Sequence, residues 1–450
     1  MIESNPRNKL ILFSWLLLFA SFYWLFQLSQ SGHNGTLISI YSFAFVAYLA
    51  LIFLADKISI RSFILGTTLL YLLAFWQLPY LSNDYFRFLW DGEMIHLGIN
   101  PFDFTPHQII QQKSFSNCYY LDLYAGMGEL SRSNYSCYPT VNQFYFYIST
   151  LFSKDIFANV MVMRATILLS LLFGMSQLKS ILNHFGLNPK RIFYFVLNPL
   201  VVLESIGNLH FELVTVSFLL AAFNLLLKQK YLLSAVLFAL AVHVKLIPLL
   251  LLPFLLPYLG WKNSLRYSIY AGISVILLFI IFIDLSNAGN FLMSLQLYFR
   301  QFEFDSFVLY PYLQYGQTKF GWNLTSLYAP KLAKWAFVFI LAIAWNRSKI
   351  DAFEMFKRMF WATMIYYFLT STVHPWYWIL PLTLSVFHFS WSIVLATLLA
   401  ISSYGIYEFG NQDTYRHVLA YLNFGIMVVF FIELVFPKKW KRFTPKLFLK

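Results

Sequence analysis

Charge is what this chain has least of. Only 11% of its 450 residues are Asp, Glu, Lys or Arg, where a soluble domain carries about 25%. With 59% of residues hydrophobic, the composition excludes a soluble enzyme and points to a polytopic membrane protein. Nucleotide-binding signatures are also missing: there is no Walker loop, no GxGxxG fingerprint and no Cys/His metal spacing. Their absence argues against an ATP-driven pump or a Rossmann-type nucleotide-sugar enzyme. No internal repeat of the transporter kind is visible. A cleavable signal is not evident either. The first apolar run, Leu10 to Leu28, is too long for a signal core and lacks a small-residue cleavage site, so it reads as a first span.

What the chain does have is aromatic and aliphatic surface, including 50 Phe, 30 Tyr and 13 Trp. Apolar stretches long enough to cross or partly cross a bilayer occur at 10–29, 37–55, 62–81, 157–179, 192–204, 209–227, 231–242, 246–258 and 267–285. Others follow at 333–346, 358–371, 376–389, 391–405 and 417–436. The expected fold is an all-α polytopic membrane protein of about 12–14 transmembrane helices within a single integral membrane domain, 1–450.

The net charge of +13 is distributed in a pattern that orients these spans. Arg7/Lys9, Lys57/Arg61, Lys190/Arg191, Lys228/Lys230, Lys262/Arg266, Arg347/Lys349/Lys357/Arg358 and the basic tail 437–450 all fall on one side when the spans alternate. The positive-inside rule makes that side cytoplasmic and suits the tail to anionic headgroups, with no nucleic acid as partner. Two large extracytoplasmic loops result, 82–156 and 286–332. The run 231–258 then reads as a hairpin of two short spans with His243 and Lys245 at its external tip, a single tilted helix being the alternative. Cys118 and Cys137 both lie in the first loop. An oxidising exterior favours a disulfide between them, and two free thiols are the other reading.

The stretch Ser82 to His107 carries an unusual density of polar groups at the mouth of a span. Asp84, Arg87 and Asp91 stand at i, i+3 and i+7, on one side of a helix, and Glu93 follows. Other polar groups assigned to the same face include Tyr138 and Gln143; Glu204, Asn208, His210 and Glu212 in the turn after Asn198-Pro199; His243 and Lys245; and His374-Pro375-Trp376-Tyr377. Each alone fits a solvated helix end or an aromatic belt. Together they offer a base for a hydroxyl, cations for a phosphate and aromatic walls for a long lipid. Glycosyl transfer from a lipid-linked phosphosugar needs all three.

The pattern Asp84, Arg87, Trp90-Asp91-Gly92 and Gly98-Ile99-Asn100-Pro101-Phe102 resembles the first-loop signature of GT-C integral-membrane glycosyltransferases, closest to bacterial mannosyltransferases that use polyprenyl-phosphate sugars. Tyr138-Pro139-Thr140 with Gln143 resembles that family's segment before the juxtamembrane helix. The resemblance implies a hexosyltransferase, with mannose as the expected sugar and a glycan or lipid-linked acceptor, acting at the outer face of the cytoplasmic membrane. It implies Asp84 as the catalytic carboxylate, with Asp91 and Glu93 as rivals, and Lys245, Arg87 and His243 at the donor phosphate. Tyr138, Gln143, Asn208, His210, His374 and Trp376 would contact substrate. A divalent metal is left open, because Asn83 and Phe86 depart from a full Asp-x-Asp pattern. A lipid-linked oligosaccharide flippase or polymerase is the alternative, although the spans are nearly uncharged, and a non-enzymatic scaffold is a third reading.

Overall fold

A computed structural model describes residues 6–28, 34–113, 115, 117–321, 324–345, 348–406 and 413–449. Arg347 and Lys450, counted above among the basic clusters, lie outside them. Among the described residues the protein is helical, with one isolated parallel bridge between Phe304 and Thr372. It is an all-α polytopic membrane protein. Among the described residues, five helices are long and apolar enough to cross a membrane, six if one sharply bent pair counts as a single span, and four shorter apolar helices accompany them.

Three helices, α1 (Pro6–Leu28), α2 (Asn34–Phe53) and α3 (Ile60–Phe75), precede the first loop. The loop itself is folded into α4 (Asp84–His96), α5 (Pro106–Gln112), α6 (Cys118–Gly126), α7 (Gly128–Arg132) and α8 (Thr140–Ser149). A long span, α9 (Ile156–His184), follows. The chain then runs through α10 (Arg191–Val196) and α11 (Pro199–Val201), where Asn198 caps the first turn and Pro199 starts it. A π-helical turn, Val202–Gly207, leads to a break, and α12 (Glu212–Leu227) leaves it at 109° to the segment before it. Leu209 takes the left-handed conformation, φ 64°, in the middle of the break.

α13 (Tyr231–Val244) and a 3₁₀ segment, Ile247–Phe254, with α14 (Leu255–Leu259) form the expected hairpin. Tyr258 at the end of the second arm comes back within electrostatic reach of Tyr231 at the start of the first. The rest of the chain comprises α15 (Trp261–Phe279), α16 (Ala288–Gln296), α17 (Leu309–Phe320), α18 (Thr325–Ala344), α19 (Ala352–Leu369), α20 (Ile379–Ser385), α21 (Trp391–Leu399) and α22 (Asp413–Val435).

The bundle has two distinct ends. At one, Lys190 donates to the carbonyls of Ala55 and Ile58, and Arg191 to those of Phe387, Leu447 and Phe448. Several of the basic clusters that oriented the sequence therefore meet there. Spans carry more buried charge than the sequence pattern suggested. Arg164 of α9 is wholly buried and donates to the carbonyls of Phe75, Ile206 and Gly207. The end of α3 and the break before α12 leave those carbonyls without intrahelical partners, and a guanidinium satisfies several at once.

Candidate active site

At the opposite end, helix α4 starts on Asp84. Asn83, just before it, donates to the Gly126 carbonyl at 3.2 Å, and the Ser82 hydroxyl accepts from the Asp84 amide. These contacts fix where the helix begins and hence where Asp84 points. Farther along, Gly92 is a steric necessity: a β-carbon there would lie 2.3 Å from the carbonyl oxygen of Phe146 in α8. The Trp-Asp-Gly motif thus lets two helices of the first loop touch backbone to backbone.

Asn100-Pro101-Phe102 docks the first loop onto the segment after α15. Asn100 donates to the Phe282 carbonyl at 2.6 Å, Asn290 donates to the Phe102 carbonyl at 2.9 Å, and the Phe102 ring is buried beside Ile283 and Phe291. On the other side of the loop, Asn142 of α8 donates to the Val244 carbonyl at 2.7 Å. That bond seats the first loop against the hairpin tip, one residue before Lys245.

Lys245 is the centre of the resulting recess. Its ammonium pairs with Glu212, the first residue of α12, and stands 4.0 Å from the centroid of the Tyr377 ring. Asp84 and Cys137 are near enough to act on its charge. Burial brings the Lys245 amine down to about 7, against the opposing pull of Cys137 and Asp84. Burial likewise lifts the Asp84 carboxyl to about 6, partly offset by the Ser82 hydrogen bond and by Lys245. A carboxylate and an amine are therefore both poised to exchange protons near neutrality.

The far wall is a stack. His210, in the break before α12, lies 3.4 Å centroid to centroid from Trp376 at an interplanar angle of 20°. His374 lies 4.4 Å from the same indole, nearly parallel to it. Burial, with Lys245 next, pushes both imidazoles below the usual histidine range. The second loop backs this wall, since Phe304 bridges the Ser371–Val373 segment through its backbone and stacks on His374 at 4.6 Å. Asn208 lies behind it and donates to Glu204 at 3.2 Å.

Several residues expected at the chemistry stand elsewhere. Arg87, expected at a donor phosphate, is engaged within the first loop: its guanidinium is buried and held by Asp91 at 2.7 Å and by the carbonyls of Ser131 and Asn134. Asp91, read as a rival base, is held by Arg87, by the Ser136 hydroxyl at 2.7 Å and by Gln143 at 3.4 Å. Glu93 is buried against Lys154 and Tyr120. The shared helix face was real, but α4 turns it into the first loop's own core, where charges must pair.

Gln143 also bonds Ser136 and the Tyr138 carbonyl, and the Tyr138 ring packs on Phe88 and Phe146. His243 turns away from the hairpin tip and bonds the Val275 carbonyl at 2.9 Å, so only Lys245 serves the recess. The expected disulfide is not formed. Cys118 is exposed at the start of α6, whereas Cys137 faces Lys245 and Tyr377. Among the described residues, no three His, Cys, Asp or Glu side chains are grouped to hold a metal ion.

Sequence reasoning left out Glu204, Glu212 and Tyr377 as site residues although it named all three in their clusters. It had no means of finding Tyr404, whose hydroxyl reaches Glu204 from 200 residues away.

Comparison with known proteins gives the family. The chain matches the family model for the α-(1→6)-mannopyranosyltransferase N-terminal domain over residues 20–260, more than half its length. It belongs to that family and is a membrane glycosyltransferase of the mannosyltransferase type. Asp84, Cys137, His210, Glu212 and Lys245 lie inside the match, while His374, Trp376 and Tyr377 lie beyond it. No curated protein and no solved structure matches the chain.

Proposed function

We propose that this mannosyltransferase takes its sugar from a polyprenyl phosphate and passes it to a hydroxyl of a glycan or lipid-linked acceptor, at the extracytoplasmic face of the cytoplasmic membrane. The observation that carries the reading is the meeting of Asp84 and Lys245 in one recess walled by Tyr377 and Trp376. Lys245 suits a single phosphate that leaves with growing negative charge. The exposed face of α8, Phe144 and Ile148 with Leu151 and Phe152 just beyond, suits a polyprenyl chain lying along the membrane.

The step balances with these groups alone. Asp84 accepts the proton of the acceptor hydroxyl as its oxygen attacks the anomeric carbon. The bond from that carbon to the phosphate oxygen breaks, its electron pair leaves with the phosphate, and Lys245 offsets the new charge. With Asp84 as the base and Glu212 engaged by Lys245, direct attack by the acceptor oxygen makes this an inverting displacement. The family's α linkage would then come from a β-linked donor.

The decisive experiment uses purified protein in nanodiscs with radiolabelled polyprenyl-phosphate mannose, following release of polyprenyl phosphate. Asp84→Asn is expected to lose at least about 100-fold in turnover while donor binding persists. Equal turnover in both proteins would remove Asp84 from the chemistry. A product that keeps the donor's anomeric configuration would overturn the inverting step.

A further inference from the structure

Residues 302–305 of the second loop read Phe-Glu-Phe-Asp, an alternation that an extended backbone turns into two faces. The aromatic face lies on the recess wall. Phe304 stacks on His374 at 4.6 Å between centroids, and Phe302 at 6.1 Å. Phe304 thus ends a row of four rings that continues through His374 and Trp376 to His210. Backbone bonds keep that end in place. The Phe304 amide donates to the Ser371 carbonyl at 3.1 Å, and the Val373 amide to the Phe304 carbonyl at 2.8 Å. The Thr372 hydroxyl adds a bond to the Phe302 carbonyl at 3.2 Å.

The acidic face is gripped by α22. Arg416 pairs with Glu303, and Asn423, two helical turns farther on, donates to Asp305 at 2.9 Å. Glu303 also accepts from the Ser306 amide and hydroxyl at 3.1 and 2.7 Å, with Asp305 between them in the left-handed region, φ 47°. The Arg416 guanidinium lies over the Tyr310 ring, 4.4 Å from its centroid, and so is held from two sides. Burial lifts the Asp305 carboxyl to about 7, against the Asn423 hydrogen bond, so the ion pair of this clasp is Glu303 with Arg416.

We propose that Arg416 is a positioning residue for the recess. It fastens Glu303 to α22, the fastened segment keeps Phe304 against His374, and the His374 ring keeps its place in the wall near Lys245. Trp376 covers one face of that imidazole and Phe304 the other, while Tyr377 stands nearly perpendicular to it at 5.4 Å. Without the end ring, water reaches the imidazole and the wall loses its fixed plane. This deepens the mannosyl-transfer reading and rests on it only for what the recess does.

Arg416→Met tests the assignment with two readouts. The first is the titration of His374 in resting protein, by ¹⁵N shifts of histidine-labelled enzyme, with the resonance identified by its loss in His374→Gln. Burial, and after it the Lys245 charge, holds this imidazole at about 3, and His210 and Tyr377 are the other titratable groups beside it. The wild type should therefore stay neutral down to about pH 5. Solvation favours the imidazolium, so in Arg416→Met the midpoint should rise to about 5–6. The second readout is kcat, expected to fall about 10–100-fold with donor KM changed less than about threefold. Lys245 keeps its partners Glu212 and Tyr377 in this variant.

Arg416→Lys retains the ion pair and should recover most of the turnover. Phe304→Leu removes the ring but leaves the clasp, and should reproduce both effects. Combined with Arg416→Met it should add no further loss, because Arg416 acts through the missing ring. Should Arg416→Met not fold, Glu303→Gln removes the same ion pair at nearly constant shape and takes its place. A His374 that stays neutral over that range once the ion pair is gone, or losses that multiply in the double variant, would overturn the proposal. If the wild type released no polyprenyl phosphate from any mannosyl donor, the donor reading would fall, and the His374 titration would still decide this one.

Discussion

Asn142 donates its side-chain amide to the carbonyl of Val244, 2.7 Å away, and so ties the juxtamembrane helix of the first loop to the residue before Lys245. The bond is fully buried and links the loop that carries Asp84 directly to the hairpin that carries Lys245. Replacing Asn142 by Ala should leave that carbonyl unsatisfied and cost about 1–3 kcal/mol. Thermal unfolding in detergent reads this loss. Donor KM should rise at the same time by about tenfold as Lys245 loses its seat.

Lys245→Met should weaken donor binding more than it lowers turnover of bound donor, whereas Asp84→Asn should do the opposite. The reason is that the cation meets the phosphate already in the ground state, while the base acts as the acceptor proton moves. Lys245→Arg should recover part of the binding. A Lys245→Met protein with unchanged donor affinity in a filter or fluorescence assay would remove the residue from the phosphate site.

The pH dependence follows from the two shifted groups. Asp84 works as the carboxylate, so kcat/KM should rise as pH passes its value of about 6. Lys245 works as the ammonium, so kcat/KM should fall as pH passes about 7. A narrow bell between them is expected, with apparent limbs that belong to the pair because the two charges act on each other. Bound phosphate favours the ammonium, so the alkaline limb of kcat should sit higher than that of kcat/KM. An initial-rate series over pH 5–9 in constant ionic strength checks both limbs.

Arg87 and Asp91 should behave as one structural unit. Removing either alone strands a buried charge, at a cost of about 3–5 kcal/mol. The double change Arg87→Met with Asp91→Leu should be milder than the sum of the two, and protein that folds should retain activity. Comparing unfolding temperatures and turnover for the three variants separates this from a role in catalysis.

Gly92→Ala is expected to be among the most damaging single-methyl changes in the first loop. Its β-carbon would collide with the backbone of Phe146, which has no flexible side chain to yield. Yield of monodisperse protein on size exclusion, compared with Gly98→Ala, is the measurement.

The sequence by itself determined the solvent, the fold class and the list of polar groups from which a site could be drawn. Bilayer burial demands long apolar helices, and a charge at the mouth of a span is costly enough to stand out. That was sufficient to name Asp84, Lys245, His210, His374 and Trp376, which the fold brings to one recess, and to read 231–258 as a hairpin. The helical period also put Arg87 and Asp91 on the side of Asp84, but it could not say what that side faces. Packing decided it: α4 rolls Arg87 and Asp91 into the first loop's interior, where they pair, and leaves Asp84 at the helix start facing the recess. His243 was lost to the Val275 carbonyl for a similar reason. The site's depth was also invisible, because Glu204 meets Tyr404 and Lys245 meets Tyr377 only after distant spans come together. Local spacing fixes directions along one helix, whereas proximity between helices arises from burial of their whole surfaces, which no short pattern records.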